Sequence, residues 1–324
     1  MAKPVILKIA AAAAAVALAC QAVMAGGGAG SGAGAFMKLP IGSARGTALG
    51  HSYTALAEGA DGLSWNPAAL ATVSQRELAF SHISWFQDYG GNYAAYAQPM
   101  GSWVVGVNFA YLSIDNFDVR DIYGMGGNTE TVSVNNTFGS VALSRAFFKE
   151  KFMLGGALKR VSEGNDGSNY SSMCFDLGAK ARLFDRLLLG MSLQNLGATG
   201  DVVQMMRTGA AWVINDYITV SGEIETPSDS RTRKGFGAEI TLPESLIQVG
   251  KFSLRAGYFD NDDTGENYDD GMLKTLGLNR ISDISLGAGF YSNELAGYGI
   301  GMDFAVAPYG ALGKATQISV KIAF

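Results

Sequence analysis

The sequence predicts an all-β fold: a transmembrane antiparallel β-barrel of about 14 strands with a short N-terminal helical hatch in the lumen. Three observations carry this prediction. After Arg76, apolar residues recur at every second position in segment after segment. The chain ends in such a segment, where Ile318, Val320, Ile322 and the terminal Phe324 share one face. No stretch after the N-terminus reaches the roughly 18 consecutive apolar residues of a membrane helix.

The composition fits a barrel that lies in a membrane. The chain of 324 residues includes 43 glycines. Only 16% of all residues are charged, and the formal net charge is −5. An acidic chain lacks the basic surface that nucleic acids require, so we expect no nucleic acid partner. We also expect no cofactor, because no motif for one is present.

The first 25 residues are predicted to be a signal peptide. Lys3 and Lys8 precede an apolar run, and small residues follow it as a cleavage site. The mature chain is then expected to begin near Gly26. Lipidation of Cys20 is an alternative that the residues leave open.

A Gly-rich tether at 26–35 and a compact segment at 36–75 precede the first strand. The compact segment carries short helical patterns interrupted by glycines, one of them at 53–58. Pro67 stands where a further short helix could begin. We expect this segment to form a hatch inside a barrel made of residues 76–324.

The strand segments and their connections alternate in a regular way. The predicted strands are 76–86, 91–99, 102–114, 132–147, 151–162, 170–184, 187–196, 204–214, 217–225, 233–242, 251–259, 281–292, 297–306 and 315–324. Outer-membrane barrels have short periplasmic turns and longer extracellular loops. Longer loops are expected at 115–131, 163–169, 197–203, 226–232 and 260–280. The connection at 243–250 departs from the pattern because it is longer than the tight turn that is expected there.

Several motifs resemble a known family. The most specific are the boxes at 44–50 and 55–71, and further matches lie at 192–197, 254–258 and 307–313. These are similar to motifs of the PorV/PorQ family, which itself resembles the FadL-type outer-membrane barrels with an Asn-Pro-Ala element in the hatch. The resemblance implies a 14-stranded barrel with an internal hatch, as predicted above from periodicity. It also implies one of two roles: passing hydrophobic compounds across the outer membrane, or acting as a shuttle in type IX secretion.

The Asn66-Pro67-Ala68 element is the leading candidate site. Pro67 removes a backbone donor, and Asn66 can satisfy the backbone groups that are freed. Two interpretations stay open: direct contact with a ligand, or a motif that only holds the hatch fold. The other candidates in the hatch are Arg45, Asp61 and Trp65. The two charged residues either bind a ligand head group or pair with charges of the lumen.

Strand parity separates a lumen face from a lipid face. The charged residues assigned to the lumen are Asp176, Lys180, Arg182, Arg207, Glu223, Glu239, Arg255, Asp303 and Lys321. Their mixed signs argue against a strongly ion-selective pore and indicate ion-paired filling around the hatch. The candidates for aromatic girdles on the lipid face are Trp103, Tyr111, Trp212, Tyr258 and Tyr298.

The two histidines offer little support for an enzyme. His51 falls in the hatch, and His82 falls on the first strand beside Ser81 and Ser84. A Ser-His arrangement of the outer-membrane hydrolase type can be drawn from these residues. The spacing supplies no orienting carboxylate and no oxyanion hole, so we expect no catalytic residues.

The acidic run at 260–270 resembles the start of a calcium loop. The twelfth position of that loop is Gly271, where an EF-hand has a bidentate Glu, so the pattern fails. We expect a solvated extracellular loop and no metal site, with loose binding of divalent cations as the alternative.

The sequence as a whole predicts a barrel of the bacterial outer membrane, not an enzyme, that passes small hydrophobic compounds through a hatch-gated lumen. The alternatives are a shuttle or anchor for secreted proteins and a structural barrel without transport. The expected partners are outer-membrane lipid, the barrel-assembly machinery, and either a hydrophobic ligand or secreted proteins. The assembly machinery is expected to recognise the strand that ends in Phe324.

Overall fold

The computed structural model describes residues 38–39, 41–85, 89–118, 131–165, 168–198, 202–260, 283–295, 297–308 and 314–324. The predicted signal peptide, Cys20 and the predicted tether lie outside the described residues. So does the acidic run after Asp260.

Fourteen antiparallel strands form a closed barrel in which each strand pairs with its neighbours in the chain and β1 pairs with β14. The strands are β1 (Glu77–Ser84), β2 (Gly90–Met100), β3 (Trp103–Asp118), β4 (Thr131–Phe147), β5 (Phe152–Asn165), β6 (Ser168–Leu183), β7 (Leu187–Leu196), β8 (Met205–Val213), β9 (Ile218–Pro227), β10 (Arg233–Leu242), β11 (Lys251–Phe259), β12 (Ile284–Leu295), β13 (Tyr298–Pro308) and β14 (Lys314–Ala323). The predicted strand number and antiparallel topology are confirmed.

The two faces of the wall differ as the alternation predicts. Along β10, Arg233, Gly235, Gly237 and Glu239 are buried, while the residues between them are exposed. Two of these outward residues, Phe236 and Ile240, are large and apolar and keep 56% and 50% of their surface exposed. The buried face is the lumen side, so this is the inverse of a soluble protein. The five predicted girdle aromatics are all among the exposed large residues.

One predicted loop is wrong and one irregular connection is explained. The loop expected at 163–169 is only two residues long, because β5 runs to Asn165 and β6 begins at Ser168. The ladder continues there through the pairs Glu163–Tyr170 and Gly164–Asn169. The connection at 243–250 contains a short helix, α2 (Glu244–Ile247), which accounts for its length.

Residues 41–74 form a compact segment inside the barrel, in contact with its strands, and we use the name hatch for it. It consists of α1 (Ala44–Ala48) and two 3₁₀ helices (Asp61–Ser64 and Pro67–Thr72) joined by turns. The predicted short helix at Pro67 is confirmed as the second 3₁₀ helix. The short helical turn expected at 53–58 is present as a single turn, closed by the Ala57 amide donating to the Tyr53 carbonyl at 2.5 Å.

Glycines on the lumen face let the hatch backbone approach the wall closely. A Cβ atom at Gly190 would lie 2.6 Å from the Ala55 amide nitrogen, and one at Gly237 would lie 2.7 Å from the Leu49 carbonyl oxygen. A Cβ atom at Gly257 would overlap the backbone of Gly50. The glycine-rich lumen face therefore holds the hatch by shape.

Candidate functional site

The candidate site is the interface between the hatch and the lumen, where two parts of the wall differ sharply. We call the described, buried apolar side chains on the lumen face of β1–β5 the apolar wall, and the described lumen-facing residues of β8–β14 the charged wall. The apolar wall carries a set of fully or nearly fully buried side chains: Ile83, Tyr93, Ala95, Ala110, Leu112, Phe138 and Val161. Leu63, Leu70 and Val73 of the hatch belong to the same apolar cluster. This side of the hatch is thus held largely by dispersion and burial.

Arg45 joins α1 to the charged wall. Its guanidinium donates to both carboxylate oxygens of Glu239, at 2.8 and 3.1 Å. Glu239 also accepts from Arg255 at 3.0 Å, and Arg255 reaches Asp303 at 2.5 Å. Burial opposes the charge of Arg45, but the carboxylates of Glu239 and Glu58 raise its pKa well above its ordinary value. The result is a buried network of alternating charge.

Glu223 of β9 binds the backbone of the hatch directly. Its carboxylate accepts from the amides of Tyr53 and Thr54 at 2.9 and 2.7 Å, and from the Thr54 hydroxyl at 2.9 Å. Arg207 lies 2.6 Å from Glu225 and 3.5 Å from Glu223. These ion pairs are buried, so removal of one partner would leave the charge of the other without compensation.

Asp61, a predicted site residue, lies where β14 and β1 meet. Lys321 stands 3.3 Å from its carboxylate, and Ser43 donates to it at 3.0 Å. The Ala60 amide donates to Glu77 at 2.9 Å. The first 3₁₀ helix is thereby attached to the seam that closes the barrel.

The Asn66-Pro67-Ala68 element is attached to β6. The side-chain nitrogen of Asn66 donates to the carbonyls of Thr54 and Ala179, both at 3.2 Å. Its side-chain oxygen accepts from the backbone amide of Ala68 at 3.0 Å. A side chain at Gly178 would overlap that oxygen. The bond to Ala179 joins the hatch to the wall, and the other two lie within the hatch. The choice between ligand contact and a purely structural role stays open.

Trp65 lies in a buried aromatic group at the charged wall. Arg207 sits over its indole ring at 4.7 Å, and His51 meets it edge-on at 5.9 Å. His51 in turn stacks on Phe259 at 3.9 Å. Burial, and then the charges of Arg207 and Arg233, lower the pKa of His51 well below its ordinary value. We therefore expect a neutral imidazole here.

The remaining predicted lumen charges have different surroundings. Lys180 donates to the Ala57 carbonyl of the hatch. Asp176 pairs with Lys159 at 2.6 Å, away from the charged wall. Arg182 has inward parity, but it is exposed because β6 ends one residue later.

Sequence reasoning missed several residues that hold the site together. Lys159, Glu225 and Gln194 are buried on the lumen face. Gln194 donates to the carbonyls of Ser64 and Trp65 at 2.8 and 3.1 Å. Strand parity could have found all three, because each alternates with outward apolar residues.

His82 lies on the outer face of β1, not in the lumen. Its ring contacts Asn92 of β2 at 2.9 Å and Ser84 at 3.2 Å. Ser81 is buried on the opposite face. Within the described residues, no helix is long and apolar enough to cross a membrane. The same residues contain no cluster of metal-ligating side chains.

Comparison with known proteins agrees with the fold. Residues 10–166 match the model of a family described as an uncharacterised protein family, UPF0164. No curated protein matches the sequence.

Several solved barrels are similar in structure. The Ralstonia pickettii toluene transporter TbuX has a TM-score of 0.58 at 12% identity, covering 88% of this chain and 98% of that one. The Pseudomonas putida toluene transporter TodX has a TM-score of 0.55 at 11% identity, with coverage of 92% and 98%. A Pseudomonas aeruginosa FadL homologue has a TM-score of 0.55 at 12% identity, with coverage of 88% and 98%. The fold is therefore FadL-like. The narrower resemblance to PorV/PorQ stays a prediction.

Proposed function

We propose that the protein spans the bacterial outer membrane and passes small hydrophobic compounds through its lumen, between the hatch and the apolar wall. The apolar wall carries this proposal. A porin lumen is polar and filled with water, whereas here Leu112, Phe138 and Val161 line the inside of the barrel. The side chains of these three residues have no polar atoms, so an apolar compound in contact with them removes no polar atom of theirs from a partner.

The position of the path follows from what holds the hatch on each side. Separation from the charged wall would break the ion pair of Arg45 with Glu239 and would leave the carboxylate of Glu223 without the hatch amides that it binds, at a cost of several kcal/mol. Leu63, Leu70 and Val73 on the other side make apolar contacts that a hydrophobic ligand can replace. We therefore expect the hatch to separate from the apolar wall while it stays bound to the charged wall.

The solved barrels support the substrate class. TodX and TbuX are described as toluene transporters, and a further similar barrel is described as a monoaromatic hydrocarbon channel. They are transporters rather than enzymes. A shuttle for secreted proteins and a structural barrel are the alternatives that the experiment must separate from transport.

Two engineered disulfides test the path. One pair, Leu70→Cys with Gly106→Cys, fastens the hatch to the apolar wall, because a Cβ at Gly106 would lie 3.3 Å from Leu70 Cγ. The matched pair, Leu49→Cys with Gly237→Cys, fastens it to the charged wall. Its two Cβ atoms would be 2.9 Å apart, closer than the roughly 3.5–4.5 Å of a disulfide, so mass spectrometry and thermal unfolding first establish that the bond forms in a folded barrel. Both are made in a Cys174→Ser background, and uptake of toluene by cells is measured.

We expect the first disulfide to reduce toluene uptake to that of cells without the protein, and reduction of the bond to restore it. The second disulfide should leave uptake unchanged. If both oxidised variants transport like the parent, the hatch does not gate. If the parent itself adds nothing to uptake, transport is wrong and the shuttle or structural role remains.

A further inference from the structure

The outer face of β1 and β2 carries a group of polar side chains that transport does not use. Burial alternates along β1, so that His82 and Ser84 are exposed on the outer side. His82 is the direct cross-strand partner of Asn92, which is exposed on the same side. Ser84 ends β1, and His82 stands two residues before it, so the group lies at the rim that carries the β1–β2 connection.

The hydrogen bonds set the tautomer of the imidazole. The Asn92 side-chain oxygen is only an acceptor, so Nδ1 of His82, 2.9 Å away, must carry a proton and donate. In the neutral ring Nε2 is then unprotonated and accepts from the Ser84 hydroxyl at 3.2 Å. A hydroxyl bound to the basic nitrogen of a histidine, whose other nitrogen is held by a third group, is the arrangement of a Ser-His-acid hydrolase.

We infer that Ser84, His82 and Asn92 form an esterase site on the outer face, directed at acyl esters of membrane lipids. Ser84 is the nucleophile, His82 the general base, and Asn92 a positioning residue. The sequence suggested the Ser-His pair and supplied neither an orienting group nor an oxyanion hole. Cross-strand pairing supplies the first of these, as the amide of Asn92 instead of a carboxylate.

The surroundings favour a lipid ester over a soluble one. Phe80, two residues from His82 on the same face, keeps 49% of its surface exposed, and Ile318, the cross-strand partner of His82 on β14, keeps 49% as well. The polar group thus borders apolar side chains of the outer face, which would hold a lipid beside it. Gly90, the cross-strand partner of Ser84, leaves open space where its side chain would stand.

The reaction balances with water as the only co-reactant. Ser84 Oγ attacks the ester carbonyl carbon while its proton passes to Nε2 of His82. The bond to the alcohol oxygen breaks, the imidazolium returns the proton to that oxygen, and the acyl group remains on Ser84. Water then loses a proton to His82, attacks the acyl carbonyl, and releases the fatty acid and the serine hydroxyl.

The test uses the full-length protein in detergent micelles with dioleoyl phosphatidylethanolamine, and a fluorophosphonate probe for activated serines. The wild type should release oleate and be labelled at Ser84. Ser84→Ala should abolish both, and His82→Ala should slow hydrolysis by about a hundredfold or more. The matched control is Ser162→Ala, an outward-facing serine of β5, which should behave like the wild type.

Two further variants separate roles. Asn92→Ala should slow hydrolysis and Asn92→Asp should restore it, because a carboxylate can also orient the imidazole. Gly90→Leu should slow hydrolysis of the phospholipid more than that of p-nitrophenyl acetate. The inference fails if the wild type releases no oleate and takes no label, or if Ser84→Ala hydrolyses as fast as the wild type. It does not depend on transport, and Ser84→Ala should take up toluene normally.

Discussion

The two walls of the lumen hold the hatch by different forces. At the charged wall, buried carboxylates bind guanidinium groups and backbone amides of the hatch, as Glu239 binds Arg45 and Glu223 binds the amide of Thr54. At the apolar wall, Leu70 and its neighbours pack on aliphatic and aromatic side chains. Buried ion pairs are specific and costly to break singly, whereas apolar contacts are replaced by any apolar surface of similar shape. One side of the lumen is therefore an anchor and the other a surface that can exchange contacts.

The largest effect is expected at the centre of the charged wall. Arg255→Met leaves the carboxylates of Glu239 and Asp303 buried with less compensation, so it should lower the free energy of unfolding by about 3–5 kcal/mol. Urea unfolding in detergent, followed by tryptophan fluorescence, measures this change. Arg231→Met is the matched control, because Arg231 is 42% exposed and pairs with Asp260 at 3.3 Å. Its loss should stay below about 1 kcal/mol, and equal losses would contradict the role of the charged wall.

Two fully buried leucines of the hatch compare the walls directly. Leu70 packs on the apolar wall and Leu49 on the charged wall. Each substitution by Ala should cost about 2–4 kcal/mol of stability, because it leaves a cavity. Leu70→Ala should also raise toluene uptake, since it widens the proposed path, whereas Leu49→Ala should not. The same change of uptake in both variants would show that the path is not confined to one wall.

Two glycine substitutions compare a wall position that contacts the hatch backbone with one that contacts a hatch side chain. Gly257→Ala places a methyl group on the backbone of Gly50, which cannot move aside, and should cost about 1–3 kcal/mol or displace the hatch. Gly106→Ala meets Leu70 Cδ1 at 2.6 Å, and that side chain can rotate, so its cost should be smaller. Thermal unfolding in detergent ranks the two. The control Gly222→Ala faces outward, 3.6 Å from Phe236, and should be neutral.

The smallest effect is a pH dependence at the charged wall. Because the pKa of His51 is lowered in the fold, the unfolded chain takes up a proton first as the pH falls below about 6.5. The contribution of His51 to the free energy of unfolding should be fully present above that pH. Below it the free energy of unfolding should fall by at most about 1.4 kcal/mol per pH unit, until the pH reaches the pKa of His51 in the folded protein.

His51→Asn should flatten this decline. Asparagine tolerates the left-handed backbone of this position, where φ is 59°. Unfolding midpoints measured between neutral and mildly acidic pH give the slope for each variant. His82→Asn, on the outer face, is the matched control and should keep the slope of the wild type. An unchanged slope in His51→Asn would mean that another group is responsible.

Sequence periodicity was sufficient to predict the strands of the barrel wall. It was insufficient to predict the contacts that the wall makes with the hatch. The parity of β6 assigned Lys180 and Arg182 to one face, yet only Lys180 reaches the hatch, because Arg182 stands at the end of the strand. Glu163 was placed in a loop because the alternation weakens around it, although pairing with Tyr170 keeps it in the ladder. The local sequence pattern does not show where the hydrogen-bonded pairing of two strands stops.

The candidate site shows the same division. The Asn66-Pro67 element and Arg45 were visible as unusual residues in a segment without strand periodicity. Their partners were not, since Arg45 and Glu239 are 194 residues apart and Thr54 and Glu223 are 169 apart. The pairing of His82 with Asn92 is likewise a matter of register between two strands.

By itself, the sequence determined that the chain builds a wall with an apolar outside, because side chains of consecutive strand residues point to opposite faces. It also predicted that residues 36–75 do not join that wall, because they lack the period of a strand. Only the tertiary structure decided which strands face which part of the hatch, and hence that one side of the lumen is apolar and the other charged. Those contacts depend on strand register and on closure of the barrel between β1 and β14, which no local pattern encodes.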